Sequence, residues 1–220
     1  MKAKITIALL LAAGLNLWGQ GTVVLNNHLS GTIITHVYYN PTVFVWELVG
    51  NGTDDLPPGT KDWTGFTPLT GSGWMAALLA APGAGVAESS LTFGANPTTT
   101  SFRSGVAAGG LVGVLATLSQ VPPDAAAATL ELFVWNNNAG TIVDPSVALA
   151  VWKQGTVLGG LSGAFTVNDI GGSVNTPPNL PSGPGGLQSF AIVDIPEPSV
   201  LALAGIGAGM MVVFWRKTEP

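Results

Sequence analysis

The sequence predicts an all-β protein whose body is a single antiparallel β-sandwich of the jelly-roll or immunoglobulin-like kind. Glycine supplies 30 and proline 16 of its 220 residues, so turns are frequent and long helices are disfavoured. Apolar residues alternate with a period of two: Leu130, Leu132 and Val134 share one face of residues 129–135, and Glu131 lies on the other. The length suits one domain of this type, which we place at residues 20–194.

Turn signals divide this body into seven segments rich in Val, Leu, Thr, Phe and Trp, a composition that favours strands. The predicted strands are residues 32–39, 43–49, 111–118, 129–135, 147–153, 163–167 and 187–193. Two alanine-rich stretches, residues 74–81 and 124–128, predict helical turns instead. Pro82 follows the first, and Pro122 and Pro123 precede the second, so each is expected to form one or two turns at most.

The first 19 residues predict a secretory signal peptide. Lys2 and Lys4 form a positive start, residues 5–15 form an apolar run, and the small residue Gly19 ends the segment. The alternative is an uncleaved membrane anchor. The run is shorter than the roughly 20 residues that a membrane-spanning helix needs, which favours cleavage. The sequence therefore predicts export.

A second apolar run, residues 199–215, predicts a single transmembrane helix near the C-terminus. As a helix it would reach about 26 Å, enough for a thin bilayer. Arg216 and Lys217 follow at once, and basic residues in that place favour retention on the cytoplasmic side. The body would then lie outside the inner membrane, on the side that the signal peptide implies.

Pro196, Glu197 and Pro198 precede this run. Because both prolines lack a backbone donor and restrict the residue before them, the tripeptide predicts an extended hinge that a processing enzyme could recognise. Together with the apolar run and the basic residues, residues 195–220 resemble the C-terminal sorting signal of the bacterial PEP-CTERM family. The resemblance implies processing by an exosortase, a membrane enzyme. The alternative is an ordinary tail anchor with a chance Pro-Glu-Pro sequence.

Composition excludes several classes of function. Charged residues are only 9% of the chain, and 7 Lys and Arg stand against 12 Asp and Glu, a formal charge of −5. Without a basic surface to neutralise phosphates, nucleic-acid binding is disfavoured. The chain contains no cysteine, which rules out disulfides, a cysteine nucleophile and thiolate metal sites.

Candidate catalytic residues are few. Only two histidines occur, His28 and His36, and no further ligands stand at metal-site spacing beside them, so each is expected to be an ordinary satisfied or solvent-facing histidine. Glu47, Glu88 and Glu131 are too scattered to indicate a glycosidase pair. The sequence predicts no catalytic residue, no metal site and no cofactor.

Two polar loops allow binding hypotheses. Asn51, Asp54 and Asp55 offer oxygen ligands for a weak calcium site, although a polar hairpin tip is the simpler interpretation because no EF-hand spacing occurs. Trp135, followed by the three asparagines 136–138, could stack on a sugar and bond to it. A core tryptophan followed by an asparagine turn is favoured there, since asparagine tolerates left-handed backbone geometry.

These features predict an exported surface or matrix protein that is not an enzyme. Its expected partners are the inner membrane before processing, an exosortase-like enzyme, and exopolysaccharide or the cell envelope, where it would have a structural or adhesive role. A surface carbohydrate-binding module is the alternative. An extracellular hydrolase, which would need two acids or a His–Asp pair in a pocket, ranks last.

Overall fold

The computed structural model describes residues 20–42 and 48–192. This part of the chain is mostly β, with eleven strands, one α-helix and two short 3₁₀ turns, Glu88–Ser90 and Gly105–Ala107. In chain order the elements are β1 Gly21–Leu25, β2 His28–Leu29, β3 Ile33–Ile34, β4 Val37–Tyr39, β5 Thr67–Pro68, β6 Trp74–Pro82, β7 Thr99–Ser101, β8 Val114–Leu118, β9 Ala127–Asn136, α1 Pro145–Lys153, β10 Gly159–Asn168 and β11 Phe190–Ile192.

The largest sheet has four antiparallel strands in the order β10-β9-β6-β7. Three smaller sheets accompany it: β1-β8, β11-β4-β5 and β2-β3. In the sheet β11-β4-β5, strand β4 pairs in parallel with β11 and antiparallel with β5. This places Tyr38 opposite Pro68, at the end of the loop that carries the candidate site.

Strand β6 corrects the prediction of a helical turn at residues 74–81. Its residues alternate between two hydrophobic clusters: Leu78 packs in the main core and Leu79 in a second core on the other face of the sheet. A strand buried on both faces reads as a continuous apolar run rather than an alternating one. The alanines, which favour helix intrinsically, are here the small residues of a central strand.

Helix α1 corrects the prediction of a strand at residues 147–153. Asp144 is its N-cap and accepts hydrogen bonds from the backbone N–H groups of Ser146 and Val147, while Pro145 occupies the first turn. Ala148 and Trp152, four residues apart, are buried against the second core. The large–small alternation of residues 147–151 was therefore a misleading signal, and the Asp-Pro pair before it was the informative one.

The remaining strand predictions are confirmed in part. Residues 129–135 and 163–167 lie inside β9 and β10. β8 covers the second half of the segment 111–118, and β11 occupies the middle of 187–193. The segment 32–39 forms two short strands, β3 and β4, rather than one. Most of the predicted strand 43–49 lies outside the described residues.

Residues 124–128, also predicted as a helical turn, form a turn that enters β9. Asp124 has a left-handed φ of 57°, and its carboxylate accepts backbone N–H bonds from residues 173–175. A helix beginning there would need a right-handed φ at this position.

Within residues 20–42 and 48–192, no helix is both long enough and apolar enough to cross a bilayer. The predicted signal peptide, residues 1–19, lies outside the described residues. So does the predicted sorting segment, residues 195–220.

Candidate functional site: an aromatic cleft and the polar network beneath it

A buried polar network joins His36, Asp55 and Ser189. The His36 Nδ1 and Asp55 Oδ1 atoms are 2.6 Å apart, and the Ser189 hydroxyl donates to Asp55 Oδ2 at 2.8 Å. The same hydroxyl oxygen accepts the backbone N–H of His36 at 2.7 Å. Asp55 Oδ2 also accepts the N–H of Gly52 at 2.6 Å. The carboxylate thus ties β4, the loop after it and the residue before β11 into one unit.

These three residue types are those of a hydrolase triad, but their connections differ. A serine nucleophile must bond to the histidine that removes its proton. Here the Ser189 hydroxyl bonds to the carboxylate, and Ser189 is completely buried. In this arrangement Ser189 cannot reach a substrate, and the network acts as a structural anchor.

The loop proposed for calcium turns its oxygens inward. Asn51 Oδ1 accepts the backbone N–H of Ser189 at 3.0 Å, and its amide donates to the Pro57 carbonyl at 2.7 Å. Asp55 belongs to the network, while Asp54 is exposed. In the part of the chain that the structure describes, no three His, Asp or Glu side chains gather at a common point suited to a metal ion.

A contiguous group of aromatic rings lies beside this network. Tyr38 of β4 stacks on Trp63, with ring centroids 4.5 Å apart and planes inclined by 22°. The Phe66 ring meets Trp63 edge-on at 5.3 Å. All three side chains are partly exposed. Because Tyr38 alternates with the buried Val37 along β4, it faces away from the main core.

The indole of Trp63 is held from two further sides. Its Nε1 donates to the Gly50 carbonyl at 3.1 Å. Gly52 lies so close that a Cβ atom there would come within 2.8 Å of the Trp63 ring. Gly52 therefore connects the two parts of the site: its N–H bonds to Asp55, and its Cα faces Trp63.

Two adjoining cavities open next to these rings, with volumes of about 660 and 540 Å³. Both fall in the range of ordinary ligand sites. They share four lining residues: Thr60, Lys61, Asp62 and Phe66. Tyr38 and Trp63 line the smaller cavity only. We call the two cavities together the aromatic cleft.

Burial and two carboxylates set the electrostatics of the cleft. Burial, followed by the Asp55 and Asp54 carboxylates, raises the pKa of Tyr38 to about 12, so its phenol stays neutral and able to donate. The His28 ring meets His36 edge-on at 5.8 Å. Burial, then the His36 and Arg103 charges, lowers the pKa of His28.

The less favoured hypothesis of a sugar platform at Trp135 is wrong. Trp135 is completely buried, stacks on Phe133 at 5.3 Å, and donates its indole N–H to the Ile142 carbonyl at 2.8 Å. Asn138 has a left-handed φ of 49°, and its N–H bonds to the Asn136 side chain. The favoured interpretation, a core tryptophan followed by an asparagine turn, is confirmed.

The other candidate residues do not meet at one place. Glu88 is exposed and accepts the backbone N–H of Ala164 at 3.1 Å, whereas Glu131 is buried in β9 opposite Leu79. Glu47 lies outside the described residues, as do all members of the predicted sorting signal, namely Pro196, Glu197, Pro198, Arg216 and Lys217.

Trp63 and Phe66 were not predicted as site residues, because they belong to no strand pattern. A signal existed: in residues 62–66 two large aromatic residues stand among Asp, Thr and Gly in a loop. Aromatic residues in a polar loop have no helix or strand face to bury them, which points to a local cluster or a binding surface.

The chain matches no protein-family model, no curated protein and no solved structure. The structure defines a mostly β body with an aromatic cleft.

Proposed function

We propose that the chain is an exported bacterial protein of the cell surface or extracellular matrix, sorted by a PEP-CTERM signal. Its role there is structural or adhesive, in contact with exopolysaccharide or the cell envelope. The protein first remains in the inner membrane, with the body outside the cytoplasm. An exosortase-like enzyme then processes the C-terminal segment.

One observation carries this proposal: Pro196, Glu197 and Pro198 are followed by the apolar run 199–215 and then directly by Arg216 and Lys217. The three motif residues are substrate residues for another enzyme. The signal peptide at residues 1–19 places the body on the same side of the membrane, which supports the proposal independently.

We also propose that the body is a two-layer β-sandwich. The inner face of the four-stranded sheet contributes Leu78 and Leu132 to the main core. Opposite them, the same core includes Val23 of β1, Leu118 of β8 and Phe190 of β11. Two sheets that bury their facing side chains in one core form a sandwich, and here α1 covers the outer face of the larger sheet.

The test of sorting uses Glu197→Ala. Export and signal-peptide removal are expected to remain normal, while delivery to the surface is lost. The intact mass of the native protein, measured separately in membrane and extracellular fractions, should show a C-terminus near residues 196–199 outside the cell. A protein that keeps Arg216 and Lys217 in every fraction, or normal delivery of Glu197→Ala, contradicts exosortase processing.

The second candidate is a surface carbohydrate-binding module, which is compatible with the same location. The aromatic cleft favours it, since partly exposed aromatic rings beside hydroxyl and charged groups suit a ligand with both apolar faces and hydroxyls.

A further inference from the structure

We propose that the aromatic cleft binds a neutral polysaccharide chain, with Trp63 as the main contact. This inference rests on the proposed surface or matrix location, and it identifies the part of the body that holds the matrix polymer.

The aromatic rings of the cleft are exposed at a cavity. Phe133 and Trp135 are completely buried, and the partly exposed Tyr39, Trp74 and Phe93 line neither part of the cleft. Tyr38, Trp63 and Phe66 instead remain partly exposed and line cavities. Sugar rings present C–H groups on their flatter faces, and these pack against the electron-rich face of an aromatic ring.

The Trp63 side chain is preorganised for binding. Stacking on Tyr38, the hydrogen bond to the Gly50 carbonyl and the close approach of Gly52 fix the Trp63 indole without a ligand. Asp55 in turn fixes Gly52. A side chain already held in place loses little conformational entropy on binding, so more of the contact energy appears as affinity.

The cleft also has a polar lining. Hydroxyl groups of three threonines and the charged groups of Lys61 and Asp62 surround the rings; the threonines are Thr53, Thr60 and Thr64. Together these supply both donors and acceptors. A sugar hydroxyl is itself a donor and an acceptor, so such a mixed lining matches a polyol better than an apolar ligand.

The cleft has two adjoining parts. The two cavities share Thr60, Lys61, Asp62 and Phe66, so a polymer that lies in one can extend across these residues to the other. The larger cavity extends to Pro184 and Gln188. An extended site with two connected parts suits successive units of a polymer rather than a single small molecule.

The charge of the body and of the cleft is negative. Residues 20–195 contain three basic and ten acidic residues, a net charge of −7. Within the cleft, Asp54 and Asp62 outnumber Lys61. A polymer that carries many carboxylates would be repelled by this surface, so the cleft selects a neutral chain.

The test is affinity electrophoresis of the full-length chain in a mild detergent without a sugar headgroup. The probes are hydroxyethyl cellulose, which is neutral, and carboxymethyl cellulose, which has the same backbone but carries carboxylates. Hydroxyethyl cellulose is expected to retard the wild-type protein more strongly than carboxymethyl cellulose. Trp63→Ala should weaken that retardation about tenfold or more, as for a central aromatic contact.

A second variant separates loss of binding from loss of folding. Thr60 is exposed and lines both cavities, so Thr60→Trp should fill the cleft without removing a buried contact. Thr176→Trp is the matched control, because Thr176 is equally an exposed threonine but lines neither cavity. Retardation should be lost in the first variant and kept in the second.

Three results would overturn the inference: no retardation of the wild type by hydroxyethyl cellulose, retardation of Trp63→Ala and Thr60→Trp equal to that of the wild type, or stronger binding to carboxymethyl cellulose. The sorting proposal stands or falls separately. Glu197→Ala should bind hydroxyethyl cellulose as the wild type does, and Trp63→Ala should reach the surface normally.

Discussion

Replacing Asp55 with alanine should destabilise the body far more than a substitution at any exposed residue nearby. The Asp55 side chain is only 1% exposed, and its two oxygens accept from His36, Ser189 and Gly52. Alanine would leave three donors without their partner, of which those of Ser189 and Gly52 are buried, and each buried orphaned donor costs about 1–3 kcal/mol. Removing one member of a buried pair typically costs about 3–5 kcal/mol in total, and we expect a loss in that range.

Thermal unfolding of the full-length chain, followed by tryptophan fluorescence, measures this effect. For a body of this size each kcal/mol lowers Tm by about 2–4 °C, so Asp55→Ala should lower Tm by roughly 6–20 °C. Asp55→Asn should lose less, since the amide keeps one oxygen for Gly52 and Ser189 and offers its NH₂ group to the His36 ring. Asp54→Ala is the control, because that neighbouring acid is exposed. Equal Tm values for Asp54→Ala and Asp55→Ala would refute the anchor role of the network.

Three further predictions test other parts of the body. Trp152→Ala should lower the free energy of unfolding by about 3–5 kcal/mol in urea titrations, because it empties the space beside Phe133; a loss below about 1 kcal/mol would contradict the role of α1 in closing the second core. The pKa of Asp124 is lowered from its ordinary 3.8, mainly because the carboxylate accepts backbone N–H bonds from Asn175 and Val174. The Asp124 carboxylate therefore stabilises the fold at a pH above its unfolded-state pKa, and this stabilisation is lost as the pH falls through its lower folded-state pKa. Below about pH 4, the Tm of Asp124→Asn should consequently depend less steeply on pH than the Tm of the wild type. Gly52→Ala should displace the Trp63 ring, which a new Cβ would approach to 2.8 Å, with a cost of about 1–3 kcal/mol and a changed near-ultraviolet circular dichroism spectrum; an unchanged spectrum would show that the indole is not confined there.

The sequence predicted the strand at residues 129–135, where the alternation is visible, and failed at β6, where it is lost, although both strands are buried on both faces. Residues 129–135 kept a visible alternation, although Glu131 on the second face is itself buried in the structure. The segment at β6 lost the alternation, because Leu78 and Leu79 point into different cores and are both apolar. Period alone cannot separate such a strand from a helix. Only the neighbouring strands and α1, which are distant in sequence, decide the question.

Much of the candidate site could not be predicted from the sequence, for a related reason. His36 and Ser189 are 153 residues apart, and no local pattern relates either of them to Asp55. Their meeting depends on the parallel pairing of β4 with β11, a long-range contact that the sequence-based strand assignments did not include. The sequence shows which polar residues occur in the loop after β4. It does not show which of their oxygens point inward.

The dependence of the cleft on the network follows from a single glycine. Gly52 gives its N–H to Asp55 and presents its Cα to Trp63, so the position of the indole is set by a carboxylate that does not contact the cleft rings through any hydrogen bond of its own. A larger residue at position 52 would push the Trp63 indole away from the polar network. Removal of Asp55 would release the loop that carries Gly52. Buried polar groups cost free energy unless all their partners are present. Their presence directly beneath a partly exposed aromatic group is therefore best explained if the position of that group matters. The position does matter on a surface that binds a polymer through the Trp63 indole.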